Sequence, residues 1–148
     1  MNKELFFKKT IKALPSFFHV IQYGPTCGVA VVNIILKMFC VPGMIFCVSY
    51  APDKGASPKK MLSMLRRSGL VAARKEISIR NLKLPAILYI KLSDHYIVVG
   101  RIKNGKALIF DSAKNKPYWL KLSTLKRKWY GQKKNGWVIE VRKPNGPV

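Results

Sequence analysis

Hydrophobic and polar positions divide the chain into a helical first half and a strand-rich second half. The stretch 26–40 begins with Thr26, a good helix cap, and continues with apolar residues over a length typical of a buried helix. A second helix is predicted to begin at Pro58, after a Ser57 cap, and to end at Gly69. The first half therefore supplies two helices, after a short basic helix or arm at its start.

Beyond residue 70, strand-forming residues alternate with turn signals. A short helical turn is predicted at Ser123–Lys128, ahead of the last strand. Helices first and an antiparallel sheet second predict an α+β fold, with residues 1–148 as one domain and 1–20 as a basic N-terminal arm or helix. The predicted strands are Val71–Ile79, Ala86–Lys91, His95–Ile102, Ala107–Asp111, Tyr118–Leu122 and Trp137–Arg142.

The turn between two of these strands decides whether His95 and Asp111 share a face of the sheet. A two-residue Asn104-Gly105 turn pairs residues whose numbers sum to 209, which puts the two side chains on opposite faces. A three-residue loop with Gly105 in the left-handed region makes the sum 208 and puts Asp111 opposite Ile97, on the same face as His95. A functional pair requires the second register, so we predict the three-residue loop and the sum of 208.

Cys27 is the candidate nucleophile because it stands at the predicted start of a helix. Unpaired N–H groups and a partial positive charge at that end favour a thiolate. Gln22, five residues earlier, carries an amide that could donate to an oxyanion beside the sulfur. The alternative is that Cys27 is a small buried hydrophobic residue, as most free cysteines are. Only two histidines exist as bases, and His19 is expected to pack among its aromatic neighbours, which leaves His95 with Asp111 as its orienting carboxylate.

This chain order of cysteine, histidine and aspartate resembles papain-like peptidases. It is similar in particular to the peptidase domain of bacteriocin-exporting ABC transporters, which removes double-glycine leader peptides. The resemblance covers about residues 20–142 and implies Cys27 as nucleophile, His95 as general base, Asp111 as orienter and Gln22 as oxyanion donor. The pieces that carry it are Gln22 with Cys27-Gly28 and Ala30, the helix 57–70, Leu84–Tyr89, Asp94–Gly100, Ile109–Ala113 and Gly136–Val141.

Three departures from the family pattern concern specificity more than chemistry. The stretch between the first helix and Ser57 is short, and Ser112 follows Asp111 where the family often has proline. Four residues separate Gln22 from Cys27, one fewer than in the transporter domains. The resemblance implies cleavage after a Gly-Gly type motif. Because the sequence shows no transmembrane part and no Walker-type nucleotide-binding loop, we expect the chain to process a leader in the cytoplasm or at the inner face of the membrane for a separate ABC exporter.

The formal charge of +22 is extreme and is spread along the chain. It predicts attraction to polyanions, and nucleic acid, anionic lipid or an acidic peptide substrate all fit, although no nucleic-acid-binding signature accompanies it. Three cysteines argue against a disulfide scaffold, and Cys40 and Cys47 are expected in the core. No metal or cofactor is expected. The apolar stretch 30–51 is interpreted as a buried helix and turn rather than a membrane span, because Lys37 and Pro42 interrupt it.

Two other functions remain open from the sequence. One is a catalytically silent domain that binds a leader peptide or an anionic partner. The other is a toxin or effector that uses the same thiol chemistry on a different protein.

Overall fold

The computed structural model describes residues 3–21, 27–41 and 57–144, with side chains described from 6, 28 and 57 onward in these three stretches. The predicted Thr26 cap, Gln22 and the stretch 42–56 with Cys47 lie outside the described residues. The helices are α1 (Lys3–Ala13), α2 (Cys27–Met38), α3 (Pro58–Arg67) and α4 (Leu122–Tyr130). The strands are β1 (Val71–Ile77), β2 (Ala86–Ile90), β3 (His95–Lys103), β4 (Lys106–Phe110), β5 (Tyr118–Lys121) and β6 (Gly136–Arg142).

Helices α2 and α3 form where the sequence predicts them. Val31 and Ile35 of α2 are fully buried, as expected for an apolar core helix. The Ser57 hydroxyl accepts a hydrogen bond from the Lys60 N–H (3.2 Å) and so caps α3, which has Pro58 in its first turn. The prediction for Cys40 is wrong, because it lies past the end of α2 with a left-handed φ of 54° and is only partly buried.

The second half folds into one six-stranded sheet in the order β1-β6-β2-β3-β4-β5, and every pair is antiparallel. β1 ends two residues earlier than predicted because Ile79–Asn81 forms a 3₁₀ turn, and α4 is longer than the helical turn predicted there. None of the helices within the described stretches combines the length and hydropathy that a membrane span requires. This single six-stranded sheet has two faces, and helices cover both of them.

Each face of the sheet carries its own hydrophobic cluster. On one face Val98 and Phe110 pack with the buried side chains of α2 and α3. On the other face Val99 and Ile109 pack with Leu125 and Trp129 of α4. A side chain on Gly136 would collide with the Trp129 ring, at 2.0 Å, so this glycine lets α4 approach the sheet closely. Strand alternation thus assigns every residue of β3 to the α2 face or to the α4 face.

The predicted three-residue turn between β3 and β4 is wrong. Ile102 pairs directly with Ala107, so the connection is a two-residue Asn104-Gly105 turn in the 209 register. Both turn residues have positive φ, 53° and 73°, as a type I′ turn requires. The positive φ predicted for Gly105 is confirmed.

The register nevertheless changes to 208 before it reaches the candidate site. Val99 pairs with Ile109 and Val98 with Phe110, because Gly100 is an extra residue in β3 and forms a β-bulge. Because of the extra residue, each side chain of β3 before Gly100 lies on the opposite face from the one that the 209 register would give it. His95 and Asp111 consequently share a face, as the sequence analysis requires, although the insertion is in the strand and not in the turn.

Gly100 is held at the bulge by its packing. A Cβ atom at this position would lie 2.8 Å from Cε2 of Phe110, 3.1 Å from Ile11 and 3.3 Å from Met38. Phe110 is fully buried, so its ring has no free space to move into. The bulge therefore tolerates only glycine without a shift of the residue that precedes Asp111.

Replacing Gly100 with alanine should destabilise the fold by about 1–3 kcal/mol, because overpacking forces buried neighbours to move. Displacement of Phe110 should also displace Asp111. Chemical denaturation checks the first effect, and NMR chemical shifts of the His95 ring check the second. Gly105→Ala is the matched control, since nothing lies within 4 Å of a Cβ there and only turn strain is expected. Equal shifts of the His95 ring in both variants would contradict the assignment.

Candidate active site

Cys27 is the first residue of α2. Since the first N–H groups of a helix have no intrahelical partner, this position offers donors and a partial positive charge to a sulfur or an oxyanion. The residue thus lies where the sequence predicts it. The Cys27 side chain and the whole of Gln22 are outside the described part of the chain.

His95 and Asp111 meet through a short hydrogen bond. His95 Nε2 lies 2.6 Å from Asp111 Oδ1, with side chains 17% and 13% exposed. The first residue of β3 thus meets the residue that follows β4, one diagonal step across the ladder. The predicted pairing of a histidine with an orienting aspartate is present in the structure.

Several groups act together on the ionisation of Asp111. Burial raises its pKa, but the hydrogen bond from His95, the Ala113 N–H at 2.9 Å and the charges of His95 and Lys114 outweigh burial. The net effect lowers the pKa below its ordinary value of 3.8. Nearby Tyr118 has its pKa raised, by burial first and then by the Asp111 charge. Asp111 is therefore a carboxylate at neutral pH.

An ionised Asp111 sets the role of each His95 nitrogen. A carboxylate only accepts hydrogen bonds, so Nε2 must carry the proton in this bond. In the neutral imidazole the other nitrogen, Nδ1, is then the basic one. His95 is accordingly prepared to take a proton at Nδ1.

His19 holds the loop that carries Asp111, a role that sequence analysis missed. Its ring packs on Phe110 with centroids 6.2 Å apart, and its Nε2 donates to the Lys114 carbonyl at 2.7 Å. The Lys114 N–H in turn donates to the Asp111 carbonyl at 2.9 Å. The N-terminal segment, which includes the 3₁₀ turn Pro15–Phe18, thereby fixes the loop from the α2 side. The signal available in the sequence was only the position of His19 beside aromatic residues.

The residue before His95 is fixed by a second contact that sequence analysis missed. Asp94 has a left-handed φ of 49°, and its carboxylate accepts a hydrogen bond from the Tyr89 hydroxyl. That hydrogen bond is the main cause that raises the pKa of Tyr89 to about 12. The contact ties the turn before β3 to β2. The direction in which His95 enters the sheet is thus set by its neighbour.

Within the described stretches, no three histidine, cysteine, aspartate or glutamate side chains gather as a metal site would require. The chemistry that the described residues provide is proton transfer by a histidine held by a carboxylate. The backbone of a helix start adds a site for a nucleophile.

Comparison with known proteins places this arrangement in a family. The sequence profile of the peptidase C39 family matches residues 20–134, which include Cys27, His95 and Asp111. The chain belongs to the peptidase C39 family, and its fold is papain-like. No curated protein sequence matches the chain.

Solved structures agree with the family assignment. The chain is similar to a double glycine motif protease from an AMS/PCAT transporter, solved in complex with the leader peptide, with a TM-score of 0.69 and 18% identity over 84% of this chain and 90% of that one. It is also similar to the peptidase domain of Streptococcus ComA, a bifunctional ABC transporter involved in quorum sensing, with a TM-score of 0.68 and 18% identity over 84% and 96% of the two chains. At this identity the likeness concerns the fold.

The lowered pKa of Asp111 predicts how acid affects stability. A carboxylate whose pKa falls on folding contributes stability that is present above the unfolded pKa, near 3.8, and is lost as pH falls through the folded pKa. Wild type should therefore exceed Asp111→Asn in unfolding free energy at pH 5, and the difference should shrink below about pH 4. Urea unfolding between these pH values measures it. Glu76→Gln, which removes an exposed carboxylate of β1, is the control, and a constant Asp111→Asn difference would contradict the prediction.

Proposed function

We propose that this chain is a cysteine peptidase that removes a leader from a secreted peptide or protein by cutting after a Gly-Gly type motif. Cys27 is the nucleophile, His95 the general base and acid, Asp111 the orienting carboxylate and Gln22 the oxyanion donor. The observation that carries the proposal is the 2.6 Å bond between His95 Nε2 and Asp111 in a chain of the C39 family. That bond leaves Nδ1 as the nitrogen for proton transfer.

The lengths of α2 and β3 support a meeting of Cys27 and His95. The last turn of α2 lies at Gly100, because a Cβ there would be 3.3 Å from Met38. Cys27 lies eleven residues before Met38 (38 − 27), about 16 Å along a helix. His95 lies five residues before Gly100 (100 − 95), about 16 Å along a strand. We propose that α2 and β3 run in the same direction, which would bring residues 27 and 95 to the same level at the end of the sheet.

At the end of the sheet, a side chain that starts on one face can reach a residue on the other face. Alternation starts the His95 side chain on the α4 face, whereas α2 covers the opposite face. Since His95 is the first residue of β3, no further strand residue separates it from the α2 side. In the proposed mechanism, Cys27 approaches Nδ1 of His95 around this strand end.

The reaction then follows thiol chemistry. Cys27 transfers its proton to Nδ1 of His95, and the sulfur bonds to the scissile carbonyl carbon. The Gln22 amide and the backbone N–H at the start of α2 donate to the oxyanion. His95 returns the proton to the leaving amine as the C–N bond breaks. Water, deprotonated by the same nitrogen, hydrolyses the thioester.

The proposed substrate and partner derive from the structural relatives. One relative is a double glycine motif protease solved with a leader peptide, and another is the peptidase domain of an ABC transporter. We extend both to this chain: it binds a leader peptide and processes it for an ABC exporter, in the cytoplasm at the inner face of the membrane. By the same extension, the residues before the scissile bond are glycines, which have no side chains.

Cys27→Ala should abolish cleavage of a peptide that contains a Gly-Gly leader, by at least about a thousandfold, because no other group replaces the nucleophile. Asp111→Asn should retain a fraction of the activity, since its role is to orient His95. Mass spectrometry of the products measures both rates and the position of the cut.

Cys40→Ala is the matched control, because it removes a free thiol at the other end of α2 and should leave cleavage unchanged. Wild-type cleavage by Cys27→Ala would refute thiol catalysis. A wild-type protein that binds the leader without cutting it would show a silent binding domain instead.

Salt should affect the association of a long leader with the protein more than its cleavage once it is bound. With 28 basic against six acidic residues, the chain should attract an acidic or amphipathic leader, and this attraction raises the association rate. Screening shortens from about 10 Å at 0.1 M salt to about 3 Å at 1 M. kcat/KM for a long leader should therefore fall steeply with salt while kcat changes little, and a short neutral Gly-Gly peptide should show almost no effect. Equal salt effects on both substrates would assign the charge to another partner.

A further inference from the structure

The outer layer formed by α4 and the loops at its two ends is strongly basic. We call this layer the α4 surface. Its cations are exposed, and the side chain of Lys91 reaches it, with Cδ 3.4 Å from where a Cβ on Gly131 would lie. The six residues are Lys91, Lys126, Arg127, Lys128, Lys133 and Lys134.

Charge on this surface is not balanced locally. From 112 to 139 the sequence has eight basic residues and no acidic one. Within the described residues, the ion pairs are Lys75 with Glu140 and His95 with Asp111, and neither involves the α4 surface. Lys126, Arg127 and Lys128 follow one another on α4, so they spread over a broad arc between the buried residues Leu125 and Trp129. The result is a surface with one sign of charge, which attracts anionic partners.

The apolar side chains of the layer favour lipid over nucleic acid. Leu92, next to Lys91, is 69% exposed and offers an aliphatic group to a membrane interface. The aromatic residues of α4 are not available to stack on bases. Trp129 is 2% exposed and donates to the Trp137 carbonyl, and the Tyr130 hydroxyl accepts from the Ile79 N–H. Sequence-independent binding of single-stranded nucleic acid normally depends on such stacking.

We propose that the α4 surface docks this protein on a membrane of anionic lipids. Lysine and arginine side chains engage the headgroups, and Leu92 enters the interface between them. The 3₁₀ turn Lys91–Ser93 carries Leu92 and is joined to His95 through Asp94, so docking holds the candidate site close to the membrane. Binding through this surface does not depend on the proposed peptidase activity.

Vesicle co-sedimentation of the full chain tests the proposal. Vesicles of phosphatidylcholine with one quarter phosphatidylglycerol should bind the protein at about 0.15 M salt, and vesicles of phosphatidylcholine alone should not. Each basic residue near an anionic surface contributes about fivefold in affinity. The triple variant Lys126→Gln, Arg127→Gln, Lys128→Gln should therefore bind about a hundredfold more weakly, and Leu92→Ser should weaken binding severalfold.

A second triple variant controls for total charge. Lys9→Gln, Lys59→Gln and Lys60→Gln remove the same charge from exposed positions of α1 and α3, which pack on the other face of the sheet. The affinity of this variant for the anionic vesicles should fall by less than about threefold, because its cations face away from the membrane.

Three results would overturn the proposal. Equal losses in the two triple variants would show diffuse attraction with no docking surface. Absence of binding to the anionic vesicles would reject it outright. A DNA or RNA strand that binds more tightly than the vesicles, and that loses affinity in the α4 triple variant, would assign the surface to nucleic acid. Each readout is independent of cleavage, so failure of the peptidase assay would leave the lipid result intact.

Discussion

The β-bulge at Gly100 is the constraint on which the candidate site depends. The tight Asn104-Gly105 turn starts the β3–β4 ladder in a register that would separate His95 and Asp111 onto opposite faces. One extra residue between the turn and the site reverses this outcome. The bulge position requires glycine because Phe110, Ile11 and Met38 occupy the space that a side chain would need. The same glycine therefore avoids a clash in the core and permits the bulge that places His95 and Asp111 on one face.

Much of this architecture could be predicted from the sequence because local signals agreed with the fold. Ser57 and Pro58 mark the start of α3, and alternating strand formers mark the sheet. The need for His95 and Asp111 to share a face was also correct, but the insertion was assigned to the turn. Asn-Gly is the strongest signal for a two-residue turn, and a glycine inside a strand pattern is a signal for a bulge. The contact of His19 with Lys114 joins residues far apart in the sequence, and the contact of Tyr89 with Asp94 has no recognisable sequence signal. No local pattern therefore predicts either contact.

The two faces of the sheet are covered by different helices, and each face has a different role in the proposed function. One face packs against the apolar helix that begins at Cys27, and this packing fixes where the backbone of the proposed nucleophile lies. The other face is covered by α4, whose inner side is apolar and whose outer side is cationic. His95 starts β3 at the junction of the two layers. The same strand thus links the proposed thiol chemistry to the surface through which the protein would approach its partner.

The most direct test of the account is covalent capture of the nucleophile. A leader-derived peptide that ends in Gly-Gly chloromethyl ketone should alkylate this protein once, and mass spectrometry should place the adduct on Cys27 and not on Cys40 or Cys47. His95→Gln should suppress the reaction strongly, because the thiol then lacks its base. Equal labelling of the three cysteines, or labelling of Cys27 that does not depend on His95, would contradict a catalytic Cys27–His95–Asp111 site.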